Sequence, residues 1–349
     1  MCLTAVLHGV WKILMSISEL VLKALRGCKG FESAQIWSVE NEEKYSTLKS
    51  GRVTRSPSNL VSEEIFSLMH RLNHEGIFTQ GLCSGIGGQG SLGRTLAALG
   101  EHLAALARGK KVHYVELGPE PVKTSQLVRA LRTDDSGMVL YTAVDINETS
   151  ELSMKEAISP LLSDGNDFRY MAANYHHLLR PDIDRQQDLT LITMLGFQEG
   201  NEMPEVIGKL LGNLGGRTTY VVSEMQLYVD GNNKHIFDFY ENDYMATFSR
   251  LVSQLQSVQT IGDHIVTLLT IPVLGREIYA AVTLQPGRRD GVLGCLITNI
   301  CLKYTLEQFR AIRQYQGLSV TDEFLTGDGS VVYQLARFND QTQSVRRTF

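Results

Sequence analysis

The sequence predicts an α/β protein built on a mostly parallel sheet, and two observations carry that prediction. From residue 110 to about 226, short β-rich runs alternate with helical stretches, the order that lays strands side by side with helices on both faces. After an interruption, a helix at about 304–316 and two strands joined by Thr326-Gly327-Asp328-Gly329 return the chain to that sheet.

The elements read as follows. Strands are expected at 112–118, 138–146, 168–174, 188–196 and 218–226, with helices over 121–132, 149–162 and 202–214. Thr133-Asp134-Asp135-Ser136-Gly137 and Gly212-Asn213-Leu214-Gly215-Gly216 supply turns between them. Residues 227–300 break the alternation with a polar turn from Asp230 to Lys234, a helix near 241–256 and β-like runs at 264–272, 276–284 and 292–301. The closing strands lie near 318–325 and 331–338. A long helix from Leu92 to Ala107 precedes the first strand.

Composition bounds the function. The chain has 349 residues, 43% hydrophobic and 20% charged, enough for a large core and two intimately packed units. A net charge of -5 argues against a polyanion-binding surface, so nucleic acid is not the expected partner. The cysteines at 2, 28, 83, 295 and 301 are scattered and form no C-x-x-C pair, which fits reduced thiols in the cytoplasm and no metal site. Trp11, Leu14, Ile17, Val21, Leu22 and Leu25 recur at helical spacing, the pattern of an amphipathic helix packed on the body or on a second subunit. A homodimer through the N-terminal helices is one expectation. A membrane span is not, because Lys12, Glu19, Lys23 and Arg26 interrupt the apolar residues well short of the ~18 that a crossing needs.

Two turns compete as the cofactor site. Glu116-Leu117-Gly118-Pro119-Glu120-Pro121 follows an apolar strand and opens a helix, so glycine allows a close backbone approach beside the amide groups of a helix start. In enzymes that use S-adenosylmethionine (SAM), such a turn holds the aminopropyl carboxylate. The second strand ends in Asp145, suited to both ribose hydroxyls of an adenosine, and the third in Asn174-Tyr175, an amide and an aromatic suited to adenine. The rival is Gly85-Ile86-Gly87-Gly88-Gln89-Gly90, a literal G-x-G-x-x-G that would serve an NAD(P)-dependent oxidoreductase, with Glu116 as its ribose carboxylate. Residues 75–83 before it are too short and glycine-interrupted for a central strand, which favours a glycine-rich connection or a lid.

Taken together, these segments resemble the histidine-specific, SAM-dependent N-methyltransferase family, which includes the ergothioneine-pathway enzymes and the enzyme that N-methylates 4-dimethylallyltryptophan. The resemblance covers roughly residues 110–340. It is carried by Glu116-Leu117-Gly118 with Lys123-Thr124, Ala143-Val144-Asp145, Leu195-Gly196 with Gly200-Asn201 and Pro204, Leu227-Tyr228-Val229-Asp230, and Lys303-Tyr304-Thr305 with Glu307. It implies a class I SAM-methyltransferase, Rossmann-like sheet with an N-terminal helical region and an inserted α+β substrate region. The units are then 1–108 (helices and the Gly-rich connection), 109–226 (SAM-binding, first part), 227–301 (inserted, substrate-binding) and 302–349 (C-terminal part of the sheet domain). It also implies that Glu116, Gly118, Lys123, Asp145, Asn174 and Tyr175 serve the cofactor. Asn201 and Tyr228 would hold the amino and carboxylate groups of an amino-acid substrate, with Tyr228, Asn299 and Cys301 facing the acceptor and Tyr228 the residue nearest the chemistry.

The chain departs from the family at three places. Pro119-Glu120-Pro121 replaces the family's second glycine. Asn299 and Cys301 stand where the family grips an imidazole with glutamate and serine, so a histidine ring loses its charged partner. The family's N-terminal tyrosine segment has no clear match in residues 1–80. The expected activity is therefore methyl transfer to a small amino acid or amino-acid-derived acceptor other than histidine, in a specialised biosynthetic pathway. Because displacement at a sulfonium requires alignment more than a protein nucleophile, the absence of a Ser/His/Asp or Cys/His constellation is consistent with it. A non-catalytic relative whose helices form a partner surface is the further alternative.

Overall fold

Every residue of Val112–Leu117 is buried, as expected of a central strand covered on both faces by helices. In the computed structural model, which describes residues 15–45, 57–78, 91–132, 139–164 and 167–339, that strand is β2. The strands are β1 (Gln35–Ser38), β2 (Val112–Leu117), β3 (Val139–Asp145), β4 (Phe168–Ala172), β5 (Leu189–Met194), β6 (Thr219–Gln226), β7 (Gln259–Thr260), β8 (Ile265–Val273), β9 (Arg276–Arg289), β10 (Val292–Lys303), β11 (Leu318–Leu325) and β12 (Val331–Phe338). The helices are α1 (Ile17–Arg26), α2 (Asn41–Tyr45), α3 (Pro57–Phe78), α4 (Leu92–Ala107), α5 (Pro121–Leu131), α6 (Ser150–Ile158), α7 (Arg180–Ile183), α8 (Pro204–Leu214), α9 (Lys234–Tyr240), α10 (Asp243–Leu255) and α11 (Leu306–Tyr315).

Seven strands form the main sheet in the order β11-β12-β6-β5-β2-β3-β4. All pairings from β4 to β6 are parallel, and β12 runs antiparallel to both its neighbours. The chain starts at β2, moves outward to β3 and β4, and returns to the other side of β2 for β5 and β6. The β2/β5 junction is therefore the switch point at which open α/β sheets leave a crevice outside the strands' carboxyl ends.

Local chemistry explains the helices that flank this crevice. Glu120 caps α5 by accepting from the Val122 and Lys123 amides, both at 2.8 Å, and Pro121 occupies the first turn, where its missing N–H costs nothing. Leu92, Leu96, Leu99 and Leu103 recur on one buried face of α4, which packs on α5. Thr305 and Gln308 form a capping box that starts α11.

The second sheet joins β10, β9 and β8 antiparallel, adds β7, and takes β1 as a parallel edge on β10. The N-terminal residues expected to be helical thus also supply a strand, which pairs with the inserted region. The apolar face of α1 (Ile17, Leu20, Val21, Leu25) joins the core under β8 and β9 rather than remaining open. Trp11 and Leu14, the Gly85–Gly90 turn, Cys2 and Cys83 lie outside the described residues. Helices stand on both sides of that turn, α3 ending at Phe78 and α4 starting at Leu92, so among the described residues no strand leads into it. The polar turn after Asp230 continues into α9, a helix the sequence reading did not predict.

Candidate functional site

A cavity of about 480 Å³ opens beyond the carboxyl ends of β2, β3, β4 and β5, a volume typical of a small-molecule site. Gly118, Asp145, Asn174, Tyr175 and Asn201 line it together, although they come from the ends of β2, β3 and β4 and the turn after β5.

Each is placed by local geometry. Gly118 has φ +66, which favours glycine, and a Cβ built there would lie 2.1 Å from the Gln198 amide nitrogen and displace that side chain. The Gln198 Nε2 donates to the Gly118 carbonyl, while the Gln198 Oε1 is buried without a hydrogen-bond partner. Asp145 ends β3, and its Oδ1 accepts from the Asn147 amide at 2.8 Å. Burial pushes its pKa up to about 7 against the opposing backbone hydrogen bonds, and no cation contributes. Asn174 caps the short turn Tyr175–His177 by accepting from the His176 amide at 3.0 Å, which leaves Tyr175 on the cavity wall. After β5, Gly196 and Phe197 are both left-handed, at φ 71 and 62, a sharp turn that delivers Phe197 and Gln198 to the cavity. At Gly200 a Cβ would meet the Cys301 sulfur at 2.5 Å, so that turn lies directly on β10.

Five residues expected at the site are elsewhere. Lys123 is buried, and its Nζ pairs with Glu224 at 2.6 Å behind the turn. Glu116 is fully buried, accepting from Thr124, from Tyr141 at 2.7 Å and from the Glu120 amide at 3.3 Å, and burial lifts its pKa to about 8. Tyr228 stacks on Tyr279, with ring centroids 3.9 Å apart. Cys301 lies beneath the Gly200 turn with its sulfur 3.3 Å from Lys303 Nζ. None of these four lines the cavity, nor does Asn299, buried on β10. The expectation of free amides at the start of α5 also needs correction, because Glu120 already occupies them.

The structure adds residues that sequence spacing did not indicate. Tyr45 of α2 and Ile65, Phe66, Met69 and His70 of α3 form one wall, and Phe239 of α9 joins Phe197, with ring centroids 5.5 Å apart. Burial and the neighbouring His74 hold the His70 pKa below the ordinary histidine value. The i, i+4 recurrence of Phe66 and His70 was the available signal, but it looks like any packed helix face until the cavity is known.

The donor set fits an adenosyl ligand. A buried carboxylate met by backbone N–H groups but by no cation is an acceptor for a ribose diol, and Gly118 leaves room for close approach. Glu120 beside that turn already accepts from the Val122 and Lys123 amides, and burial lifts its pKa to about 7.

The strand order, with β12 alone reversed, defines the fold as that of the class I SAM-dependent methyltransferases. Among solved structures, the chain is similar to a SAM-dependent methyltransferase from Clostridium acetobutylicum ATCC 824, with 11% identity over 70% of this chain and 92% of that one, TM-score 0.39. The CcbJ methyltransferase from Streptomyces caelestis shows 13% identity over 76% and 95%, TM-score 0.41. The 1,6-didemethyltoxoflavin-N1-methyltransferase from Burkholderia thailandensis, with its acceptor and S-adenosylhomocysteine bound, shows 11% identity over 83% and 94%, TM-score 0.41. No protein-family model and no curated protein matches the sequence. No helix among the described residues is long and apolar enough to cross a membrane.

Proposed function

We propose that the chain is a SAM-dependent methyltransferase acting on a small, amino-acid-derived acceptor other than histidine. The observation that supports this most is the meeting of Gly118, Asp145 and Asn174 around one cavity at the switch point of the sheet. When bound, the cofactor supplies an electrophilic methyl group on a sulfonium.

The protein's own part is alignment and proton handling. Asp145 orients the ribose by accepting its hydroxyls, and Asn174 and Tyr175 present an amide and an aromatic face to the base. The walls from Phe197, Phe239, Phe66 and Met69 exclude water and hold the acceptor in line, which is where most of the rate gain in a displacement of this kind arises. An acceptor that arrives protonated must first lose its proton, and of the two lining imidazoles, His70 and His176, His70 is the one on the helical wall able to take it. Its lowered pKa keeps the imidazole neutral near pH 7. Tyr228, Asn299 and Cys301 have no part in this reading, because none of them reaches the cavity.

Isothermal titration with S-adenosylhomocysteine tests the proposal. Binding in the micromolar range supports it, and no heat at submillimolar ligand removes it.

A further inference from the structure

His176 lines the cavity, and only one of its two ring nitrogens is engaged by the protein. Its backbone N–H donates to Asn174 Oδ1 at 3.0 Å, its ring tilts against Tyr175 with centroids 4.6 Å apart, and its Nε2 lies 3.5 Å from Glu202 Oε1. Glu202 is itself held, since Asn41 Nδ2 donates to it at 3.5 Å and to the Asn201 carbonyl at 3.2 Å. The imidazole is therefore fixed at its backbone, one face and one edge. Its Nδ1 is buried and has no hydrogen-bond partner among the described residues.

Glu202 decides what Nδ1 can do. A carboxylate only accepts, so the neutral imidazole keeps its hydrogen on Nε2 and presents a lone pair at Nδ1. A buried acceptor left unpaired is rare in a folded protein and calls for a donor from a ligand. The χ2 torsion of a histidine is soft, so the ring can tilt toward that donor while Glu202 keeps hold of Nε2. Asn174, two residues earlier, has the complementary capacity. Its oxygen is engaged by the His176 amide, so the group it offers a base is its NH2. A donor from Asn174 beside an acceptor from His176 matches the edge of adenine, where ring N1 accepts and the exocyclic 6-amino group donates.

We infer that His176, oriented by Glu202, is a specificity-determining residue of the nucleoside site, its Nδ1 accepting from the 6-amino group of the cofactor's purine. Resting on the methyl-transfer reading, this role gives the base a third contact beside Asn174 and Tyr175 and leaves proton transfer to His70.

Titration with two probes tests it: S-adenosylhomocysteine and its analogue with hydrogen in place of the 6-amino group, whose N1 still accepts. The wild type is expected to prefer S-adenosylhomocysteine by about tenfold or more, because the analogue leaves Nδ1 unpaired. His176→Phe keeps a flat ring but no acceptor, so it should weaken S-adenosylhomocysteine about tenfold, change the analogue by less than about twofold, and so erase the preference. His176→Asn, whose side-chain oxygen can stand near the position of Nδ1, should retain part of it. Equal affinities of the two probes for the wild type, or a His176→Phe protein that keeps the full preference, overturns the inference. Should His176→Phe fail to fold, a His176→Asn protein with no preference left supports a contact that only Nδ1 can make, and equal binding of the probes to the wild type still refutes it. If S-adenosylhomocysteine does not bind at all, the methyl-transfer reading falls and this role falls with it, whereas tight binding without discrimination removes His176 alone.

Discussion

Lys123 and Glu224 form a wholly buried ion pair, Nζ to Oε2 at 2.6 Å, that ties the first turn of α5 to β6 behind the Gly118 turn. Glu224 also accepts from the Gly196 amide and from Tyr333 at 2.8 Å, so one carboxylate anchors both glycine turns of the crevice. Removing one partner leaves an uncompensated buried charge. Lys123→Met is therefore expected to cost about 3–5 kcal/mol of stability. Urea denaturation measures it, and the double variant Lys123→Met/Glu224→Leu should recover much of the loss. A Lys123→Met protein of unchanged stability that fails to bind S-adenosylhomocysteine would instead return Lys123 to the cofactor.

Glu116 gives the protein a pH signature. Its pKa rises from 4.5 to about 8 on folding because burial outweighs the hydrogen bonds from Thr124 and Tyr141. The folded chain thus holds a proton that the unfolded chain releases, so the stabilisation from this group is complete below pH 4.5 and is lost as pH rises through 8. Glu116→Gln, which cannot ionise, is expected to lose less stability than the wild type across that interval. Melting temperatures of the two proteins measured along a pH series check this, and parallel curves contradict it.

Gly118→Ala forces a left-handed alanine, at about 1–2 kcal/mol, and pushes the Gln198 amide off the turn. A melting temperature lowered by a few degrees and an affinity for S-adenosylhomocysteine weakened by about tenfold or more are expected. Wild-type affinity in this variant would show that the turn does not approach the cofactor.

Tyr228→Ala separates this structure from the family resemblance. It removes one ring of the stacked pair with Tyr279, at about 0.5–1.5 kcal/mol. Binding of S-adenosylhomocysteine should be unchanged, and its loss places Tyr228 in the site.

The parallel sheet was readable because its strands are apolar runs punctuated by turns, and the closing hairpin and the helix at Leu92–Ala107 follow the same local rules. The meeting of Gly118, Asp145 and Asn174 at one cavity was readable for a related reason: they sit where successive strands stop, and strand ends are visible in sequence. Lys123 and Glu116 have the right spacing, but spacing does not say whether a charged group turns toward the cavity or toward a buried partner such as Glu224 or Tyr141. The helical wall of the cavity was hidden because Tyr45, His70 and Phe239 come from three helices far apart in the chain and meet only through tertiary packing. The strand β1 was missed because four residues pairing with a distant β10 leave too short a pattern to separate from the surrounding helices.

The most direct measurement is isothermal titration of S-adenosylhomocysteine into the wild type and into Asp145→Ala at equal folded concentration. At pH 8 or above, where Asp145 with its pKa of about 7 is ionised, two hydrogen bonds from a ribose to its carboxylate are worth about 1.5–3 kcal/mol each, so the wild type should bind and the variant should be weaker by about 100-fold or more. A wild type that does not bind, or an Asp145→Ala protein that binds as tightly, would contradict the account.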